Sequence, residues 1–162
     1  MIEIKKTEEG QLERLNEIEQ LTYPPEEAAP AEKFLFRMEH HPFWFRSACI
    51  DGTVTGYLCG IPVKRSADEG IEDAMYEAEV YPEGDTFALL SLAVDPAYQR
   101  RGIGELLMRT IVFLCREKGM KRIILACKEE KVRYYEKFGF RLMGKSASGH
   151  GGAEWIDMEL KL

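Results

Sequence analysis

The sequence has no hydrophobic run long enough to cross a lipid bilayer. The longest run in its C-terminal half, Ile123 to Cys127, falls far short of the roughly 20 residues that a spanning helix needs. No apolar segment follows the charged residues of Met1 to Lys5, whereas a secretory signal would have one there. The sequence therefore predicts a cytoplasmic protein without a membrane partner.

The sequence also lacks an excess of positive charge. The 162 residues carry 22 Lys and Arg against 28 Asp and Glu, which gives a formal net charge of −6. Because affinity for a phosphate backbone depends on clustered Lys and Arg, this balance argues against a nucleic-acid partner. It favours neutral or cationic ligands.

Cysteines at metal-ligand spacing are absent as well. Cys49, Cys59, Cys115 and Cys127 are widely scattered, and three of them lie within apolar runs. A small thiol in such a run is usually buried. We therefore expect free, buried thiols in a reducing compartment and no bound metal.

What the chain does contain is the pattern of one folded domain. Hydrophobic residues make up 45% and charged residues 31%, which is the balance of a globular protein. No repeat or long linker divides residues 1–162. Apolar periodicity predicts strands at residues 2–4, 45–50, 54–63, 87–94, 122–127 and 156–162, and helices through residues 12–18, 34–38, 104–118 and 129–138.

The order of these elements predicts the fold class. Asp51-Gly52 predicts a hairpin turn between two strands, residues 64–73 are polar enough for a loop, and residues 75–80 form a strand or the end of that loop. In the last strand, apolar residues alternate with charged ones, which predicts one solvent-facing side. The first half is rich in hairpins and the second alternates strand and helix, so we expect an α+β domain with a mixed sheet.

The most informative segment runs from Leu92 to Gly104. It combines a strand end, a polar turn, a basic loop with Arg100 and Arg101, and a helix start beside Gly102. The first N–H groups of a helix lack partners, and glycines let an anion approach the backbone. The pattern predicts a pyrophosphate site, and an ordinary basic turn before an amphipathic helix is the alternative. A P-loop and a dinucleotide fingerprint are both disfavoured, because their defining residues are absent.

A second informative segment is Val132 to Phe140, in which Tyr134 and Tyr135 are adjacent on a predicted helix. Neighbouring helical side chains point about 100° apart, so we expect one tyrosine in the core and the other at a cleft. A phenol can give a proton to a departing thiolate. Packing by both aromatic rings is the alternative.

Together, the loop Gln99-x-x-Gly102-x-Gly104 and the later Tyr-Tyr-Glu-Lys-Phe-Gly-Phe segment resemble the GNAT superfamily of N-acetyltransferases. The resemblance extends from about Phe45 to the end of the sequence. It implies a mixed, mostly antiparallel central sheet flanked by helices, with a splayed pair of central strands. It also implies an acyltransferase that uses acetyl-CoA as cosubstrate. Residues 23–29 and 34–38 resemble the substrate loop and helix of the arylalkylamine N-acetyltransferase branch.

The resemblance implies roles for individual residues. Tyr135 would be the general acid toward the coenzyme A thiolate, and Tyr134 would be its packing neighbour. Animal arylalkylamine enzymes carry two histidines where this chain has Ala88 and Leu90, so their deprotonation route is absent. A strand segment would pair with the pantetheine arm of acetyl-CoA, and a loop would bind its pyrophosphate. These residues are Leu92, Ala93 and Val94 in the strand and Arg100, Arg101, Gly102, Ile103, Gly104 and Glu105 in the loop.

The resemblance and the acidic composition favour a small-molecule primary amine as acceptor, an arylalkylamine or a polyamine. Two alternatives are open: an acetyltransferase for protein N-termini or lysines, and a coenzyme-binding regulator without catalysis. A homodimer is open too. The residues considered as general base are Glu26, Glu27, Asp85, His41 and His150, with Ser91 as a water relay.

Overall fold

The structure is a computed structural model that describes residues 1–72, 74 and 84–162. The strand or loop end predicted at residues 75–80 lies outside the described residues. The strands are β1 (Ile2–Lys6), β2 (Phe45–Ile50), β3 (Thr53–Val63), β4 (Thr86–Val94), β5 (Arg122–Cys127), β6 (Arg141–Lys145) and β7 (Ile156–Lys161). The helices are α1 (Leu12–Thr22), α2 (Ala31–His40), α3 (Ile103–Glu117) and α4 (Val132–Glu136).

Prolines and glycines end the helices where the sequence predicts. α1 stops before the consecutive prolines at 24 and 25, which cannot donate backbone hydrogen bonds. After α3, Gly119 has a φ of +74°. The N–H of Met120 donates to the Cys115 carbonyl at 2.9 Å, which is the hydrogen bond of a helix end closed by a left-handed glycine.

In the described part of the chain, seven strands form one sheet in the order β1-β2-β3-β4-β5-β7-β6. The pairs β1–β2, β2–β3, β5–β7 and β6–β7 are antiparallel, whereas β4–β5 is parallel. Asp51 and Gly52, with φ values of 49° and 81°, form the tight turn between β2 and β3. The predicted α+β fold, with a mixed and mostly antiparallel sheet flanked by helices, is confirmed.

β4 has an unusual pairing. The strand is 9 residues long, yet its register with β5 covers only Thr86, Phe87 and Ala88. Among the described residues, the remainder of β4 has no partner on β5. Backbone N–H and C=O groups of a strand require partners, so this part of β4 can pair with something other than β5. The observation agrees with the expected splay of two central strands.

The chain divides into two compact units. The first unit comprises residues 1–60 and 91–111, and the second comprises residues 61–90 and 112–162. A single domain over residues 1–162 stays a prediction. The first unit packs α1 and α2 against the first strands, and the rings of Phe34 and Tyr57 meet edge to face with centroids 5.4 Å apart. Its largest buried core side chains are Leu15, Ile18, Phe34, Phe45 and Tyr57.

The second unit buries a carboxylate that the sequence predicted to face solvent. Glu159 of β7 is 1% exposed and accepts hydrogen bonds from Arg122 Nη1 and Arg141 Nε, each at 2.8 Å. Asp157 on the same strand is buried too. The prediction of one solvent-facing side on β7 is therefore wrong. β7 lies between β5 and β6, and each of those strands supplies an arginine to Glu159.

All four cysteines are free and buried, which includes the three in apolar runs for which burial was predicted. In the described part of the chain, no helix is both long enough and apolar enough to cross a bilayer. Over the same residues, His, Cys, Asp and Glu side chains form no group of three or more that could hold a metal ion.

Candidate active site

Hydrogen bonds fix the turn between β4 and α3 in the first unit. The N–H of Asp95 donates to the Thr55 carbonyl at 2.8 Å, and the Asp95 carboxylate accepts from the N–H of Ala97 at 2.9 Å. Arg14 of α1 forms an ion pair with that carboxylate and donates to the Val54 carbonyl at 3.0 Å. Burial would raise the pKa of Asp95, but these partners bring it below its ordinary value. The ionised carboxylate thus anchors the end of β4.

The loop after this turn leads into α3, whose first backbone N–H groups lack partners within the helix. Arg100 and Gly102 have φ values of +65° and +78°, a region that costs a non-glycine residue about 1–2 kcal/mol. α3 begins at Ile103, and the N–H of Leu106 donates to the Gly102 carbonyl at 3.0 Å. The N–H groups ahead of Leu106 therefore have no helical partner. A Cβ on Gly102 would meet no described atom within 4 Å, so an anion can approach.

Gly56 allows β3 to approach the end of β4 closely. A Cβ at this position would lie 2.9 Å from the Ala93 carbonyl oxygen and 3.3 Å from side-chain atoms of both Val94 and Ile103. Real side chains do not tolerate the first distance, so only glycine fits without a shift. Sequence analysis did not single out this glycine, since a lone glycine in a strand pattern gives only a weak signal.

Two tyrosines and a glutamate lie together in the first unit, with Tyr57 and Glu19 buried and Tyr23 half-buried. The Tyr23 hydroxyl donates to the Leu92 carbonyl at 2.7 Å. The Tyr57 hydroxyl donates to the Glu19 carboxylate, which also accepts from the N–H of Ala29 at 2.8 Å. Burial raises the pKa of Tyr23 and of Tyr57, and the charge of Glu19 raises both further. Both phenols therefore stay protonated and act as donors.

Glu19 was missed by the sequence analysis, although α1 carries a signal for it. It follows Leu15 by four residues and Ile18 by one, so it lies on the apolar side of the helix where a charge is unexpected. The glutamate is 2% exposed. A buried carboxylate needs hydrogen-bond donors, and Tyr57 supplies one of them.

The predicted general bases fall into different environments. Glu26 is exposed, whereas Glu27 is buried at 8% exposure. Ser91 is buried in β4. Asp85 is exposed in the second unit, and a hydrogen bond from Lys121 lowers its pKa, which makes it a weaker base.

The two histidines among the predicted bases lie at the ends of short elements. His41 directly follows α2, where its N–H donates to the Arg37 carbonyl at 2.9 Å. His150 belongs to a 3₁₀ turn before β7, and its carbonyl accepts a hydrogen bond from Trp155 Nε1 at 2.9 Å. These contacts position the backbone of each residue.

In the second unit, α4 carries the predicted general acid. The helix is shorter than expected, because residues 129–131 form a 3₁₀ turn and α4 ends at Glu136. Tyr134 and Tyr135 are both half-buried. The Tyr135 ring meets buried Phe140 at 5.9 Å between centroids, and the Tyr134 ring meets Phe138 at 5.3 Å. Each tyrosine therefore has an aromatic neighbour, and neither is fully enclosed.

Comparison with known proteins assigns the family. Residues 12–140 match the acetyltransferase (GNAT) family. The chain belongs to that family. The match includes the glycine loop before α3 and the tyrosine segment of α4, the two segments that carried the sequence-based resemblance.

Individual relatives are distant. Serotonin N-acetyltransferase of Mesocricetus auratus is 32% identical over 82 residues, which are 50% of this chain and 40% of that protein. Glucosamine 6-phosphate N-acetyltransferase of Trypanosoma brucei brucei is 31% identical over 91 residues, 56% of this chain and 60% of that protein. The chain thus spans less than two thirds of the length of either relative.

A solved structure shows the same fold along nearly the whole chain. The GphF GNAT-like decarboxylase in complex with isobutyryl-CoA has a TM-score of 0.85 with 17% identity, covering 98% of each chain. At this identity the likeness concerns the fold alone. The arylalkylamine-like resemblance of the sequence agrees with the serotonin N-acetyltransferase match.

Proposed function

We propose that the protein is an N-acetyltransferase that uses acetyl-CoA and acts on the primary amine of a small molecule. The open loop at the start of α3 carries this proposal. Its strained Arg100, its glycines and its unpaired N–H groups suit a pyrophosphate, as expected of an acyl-CoA site in this family. Membership in the acetyltransferase (GNAT) family supports the reaction type.

The residues present suit the cosubstrate. In the proposed complex, N–H groups of residues 102–105 bind the pyrophosphate, and the charges of Arg100 and Arg101 add to that attraction. The Arg101 guanidinium carbon lies over the Tyr98 ring, 5.2 Å from the ring centroid. This contact restricts the conformations of the arginine side chain. Leu92 to Val94 lie in the part of β4 that has no described partner on β5, and they pair with the pantetheine arm.

The reaction requires a neutral amine. A primary alkylamine is protonated near pH 7, so a base must take a proton before the nitrogen attacks the thioester carbonyl. Of the predicted bases, Glu27 is buried in the first unit, and its charge contributes to the raised pKa of Tyr23. Tyr23 in turn contacts the Leu92 carbonyl. Glu27 therefore accepts the amine proton in this proposal, directly or through water.

The remaining steps concern the acetyl group. Attack of the amine forms a C–N bond and an oxyanion, which an N–H of Leu92 or Val94 stabilises. The intermediate then collapses, the C–S bond breaks, and the thiolate leaves. Tyr135 donates its phenolic proton to that thiolate, and the second proton of the attacking nitrogen, lost as the amide forms, passes through water to the Tyr135 phenolate and restores the phenol. The pKa of an ordinary phenol is near 10 and that of a thiol near 8.5, which is close enough for efficient proton transfer.

A small-molecule acceptor is favoured over a peptide by the relatives. Their names state serotonin and glucosamine 6-phosphate as acceptors, and both are small amines. The alternatives from sequence analysis, acetylation of protein N-termini or lysines and a coenzyme-binding regulator without catalysis, make different predictions in one assay.

A thiol-release assay with acetyl-CoA tests the proposal. Arylalkylamines, polyamines, aminoglycosides and peptides serve as acceptors, and we expect release with at least one small amine. Tyr135→Phe should lower kcat by about 100-fold or more while acetyl-CoA still protects the protein against thermal unfolding. Tyr134→Phe is the matched control and should keep most of the activity.

Each other outcome contradicts a specific part of the proposal. Release with peptides alone would favour a protein acetyltransferase. Protection by acetyl-CoA without release from any acceptor would favour a regulator. An unchanged rate in Tyr135→Phe would exclude Tyr135 as the general acid.

A further inference from the structure

The first unit buries an arginine that forms no ion pair with any acidic side chain the structure describes. Arg37 of α2 is 2% exposed. Among the described residues its guanidinium makes one hydrogen bond, from Nη1 to the Cys59 sulfur at 3.4 Å, and it lies 5.9 Å from the Phe34 ring centroid. Its Nε is buried and has no hydrogen-bond partner in residues 1–72, 74 and 84–162. A guanidinium has five N–H donors, so most of its hydrogen-bonding capacity is unused.

The second unit contains a buried arginine for comparison. Arg122 is 6% exposed. It donates to the Glu159 carboxylate and to the backbone carbonyls of Ser66, Ala67 and Glu69. This is the usual arrangement, because a buried charge without a partner is strongly destabilising. Arg37 departs from it, and a buried polar group left without partners requires an explanation such as a bound species or a functional role.

The surroundings of Arg37 link it to the proposed acceptor site. Cys59 of β3 receives its hydrogen bond. Burial raises the pKa of the Cys59 thiol, Arg37 opposes that rise, and Glu19 and Ser91 also act on the thiol. Ser91 directly precedes Leu92, whose carbonyl accepts the Tyr23 hydroxyl. Arg37 and Glu19 therefore place a cation and a carboxylate around the same thiol, next to the strand segment proposed to hold the acetyl thioester.

We propose that Arg37 binds a carboxylate carried by the acceptor, so that the preferred substrates are small amines with an acidic group. This inference rests on the proposed function. A guanidinium matches a carboxylate in shape and charge. One guanidinium balances one carboxylate, whereas a phosphate dianion would leave a buried negative charge. The acidic side chains of the same unit, Glu19 and Glu27, suit the positive end of such an amino acid.

Matched acceptor pairs test the inference in the wild-type protein. The pairs are phenethylamine and phenylalanine, putrescine and ornithine, and ethanolamine and serine, and the members of each pair differ only by a carboxylate beside the amine. Thiol release from acetyl-CoA is measured for both members. We expect kcat/KM to be about 10- to 100-fold higher for the acidic member of at least one pair, the range expected of a charged hydrogen bond.

Variants then assign the preference to Arg37. Arg37→Gln should lose at least about tenfold in kcat/KM for the acidic member and leave its carboxylate-free partner nearly unchanged. Arg37→Lys keeps the charge and should restore part of the preference. Arg46→Gln is the matched control, because Arg46 belongs to the same unit and donates to the Phe43 carbonyl at 3.0 and 2.9 Å. It should leave the preference intact.

The outcomes separate this inference from the proposed function. No thiol release from any acceptor, with or without a carboxylate, would refute the proposed function. Release that shows no preference for the acidic member of any pair, or that favours the carboxylate-free members, in the wild type would refute the Arg37 assignment alone, whether or not the variants fold. Equal losses for both members in Arg37→Gln would also refute it. An Arg37-dependent preference for malonyl-CoA over acetyl-CoA would place the carboxylate on the acyl group instead of the acceptor.

Discussion

Replacing Glu159 by glutamine removes the carboxylate of the buried ion cluster in the second unit. Glu159 is 1% exposed and accepts hydrogen bonds from Arg122 and Arg141. The side chain of Arg122 is 7% exposed and that of Arg141 is 63% exposed, so the interaction with Arg122 dominates. Removing one member of a buried pair costs about 3–5 kcal/mol. Glutamine keeps the side-chain volume and one of the two oxygens, so we expect a loss at the lower end of this range, about 3 kcal/mol in the free energy of unfolding.

Thermal unfolding measures this loss. For a chain of this size, each kcal/mol shifts Tm by about 2–4 °C, so Glu159→Gln should lower Tm by about 6–12 °C. Glu154→Gln is the control: Glu154 pairs with Lys145 at 3.4 Å, and both side chains are exposed. Its Tm should stay close to that of the wild type. Equal shifts in the two variants would refute the energetic role of the buried pair.

The same substitution predicts a dependence on pH. Burial alone would raise the pKa of Glu159, but hydrogen bonds from Arg122 and Arg141 outweigh it and bring the pKa below the ordinary value of 4.5. A carboxyl group with a lowered pKa stabilises the fold above its unfolded pKa and loses that contribution as the pH falls through the folded pKa. The Tm difference between wild type and Glu159→Gln should therefore be full at pH 7 and shrink in acid below about pH 4.5.

Three further substitutions test other parts of the structure. Gly102→Val should abolish protection by acetyl-CoA against thermal unfolding, because a side chain there occupies the proposed pyrophosphate site; unchanged protection would contradict that site. Gly56→Ala places a Cβ 2.9 Å from the Ala93 carbonyl oxygen and should lower the free energy of unfolding in urea by about 1–3 kcal/mol. An unchanged free energy of unfolding would show that β3 can shift away from β4 without cost. Asp157→Asn should raise Tm at pH 7, since burial raises the pKa of Asp157 and its charge destabilises the fold above that pKa. This gain should disappear as the pH falls below the pKa of the unfolded carboxyl, and a loss of Tm at pH 7 would contradict it.

Most of the fold follows from local signals in the sequence. Period-two and helical spacing closely predicted three of the helices and six of the seven strands in the described part of the chain; β6 was not predicted. α4 is the exception, since its first turn winds as a 3₁₀ helix. Both conformations place side chains three to four residues apart on one side, so the apolar pattern does not distinguish them.

The buried charges could not be predicted in the same way. Glu159 alternates with apolar residues in β7 as a solvent-facing residue would, and only pairing with Arg122 and Arg141 of neighbouring strands buries it. Such pairing depends on residues far apart in the chain. Glu19 and Arg37 gave a weaker local signal, because each lies on the apolar side of its helix. The sequence pattern of a basic loop at a helix start singled out Gly102. Its φ of +78° gives the physical reason for a glycine at this position.

The burial of every cysteine affects how the protein can be assayed and stored. Burial raises the pKa of Cys115 to about 12 and of Cys127 to about 11, and it raises the pKa of Cys49 and Cys59 as well. Only the thiolate reacts with disulfide dyes and alkylating agents. A folded sample should therefore give almost no background colour with such a dye, and the appearance of reactive sulfur in an ageing preparation should report unfolding before any loss of turnover is measured.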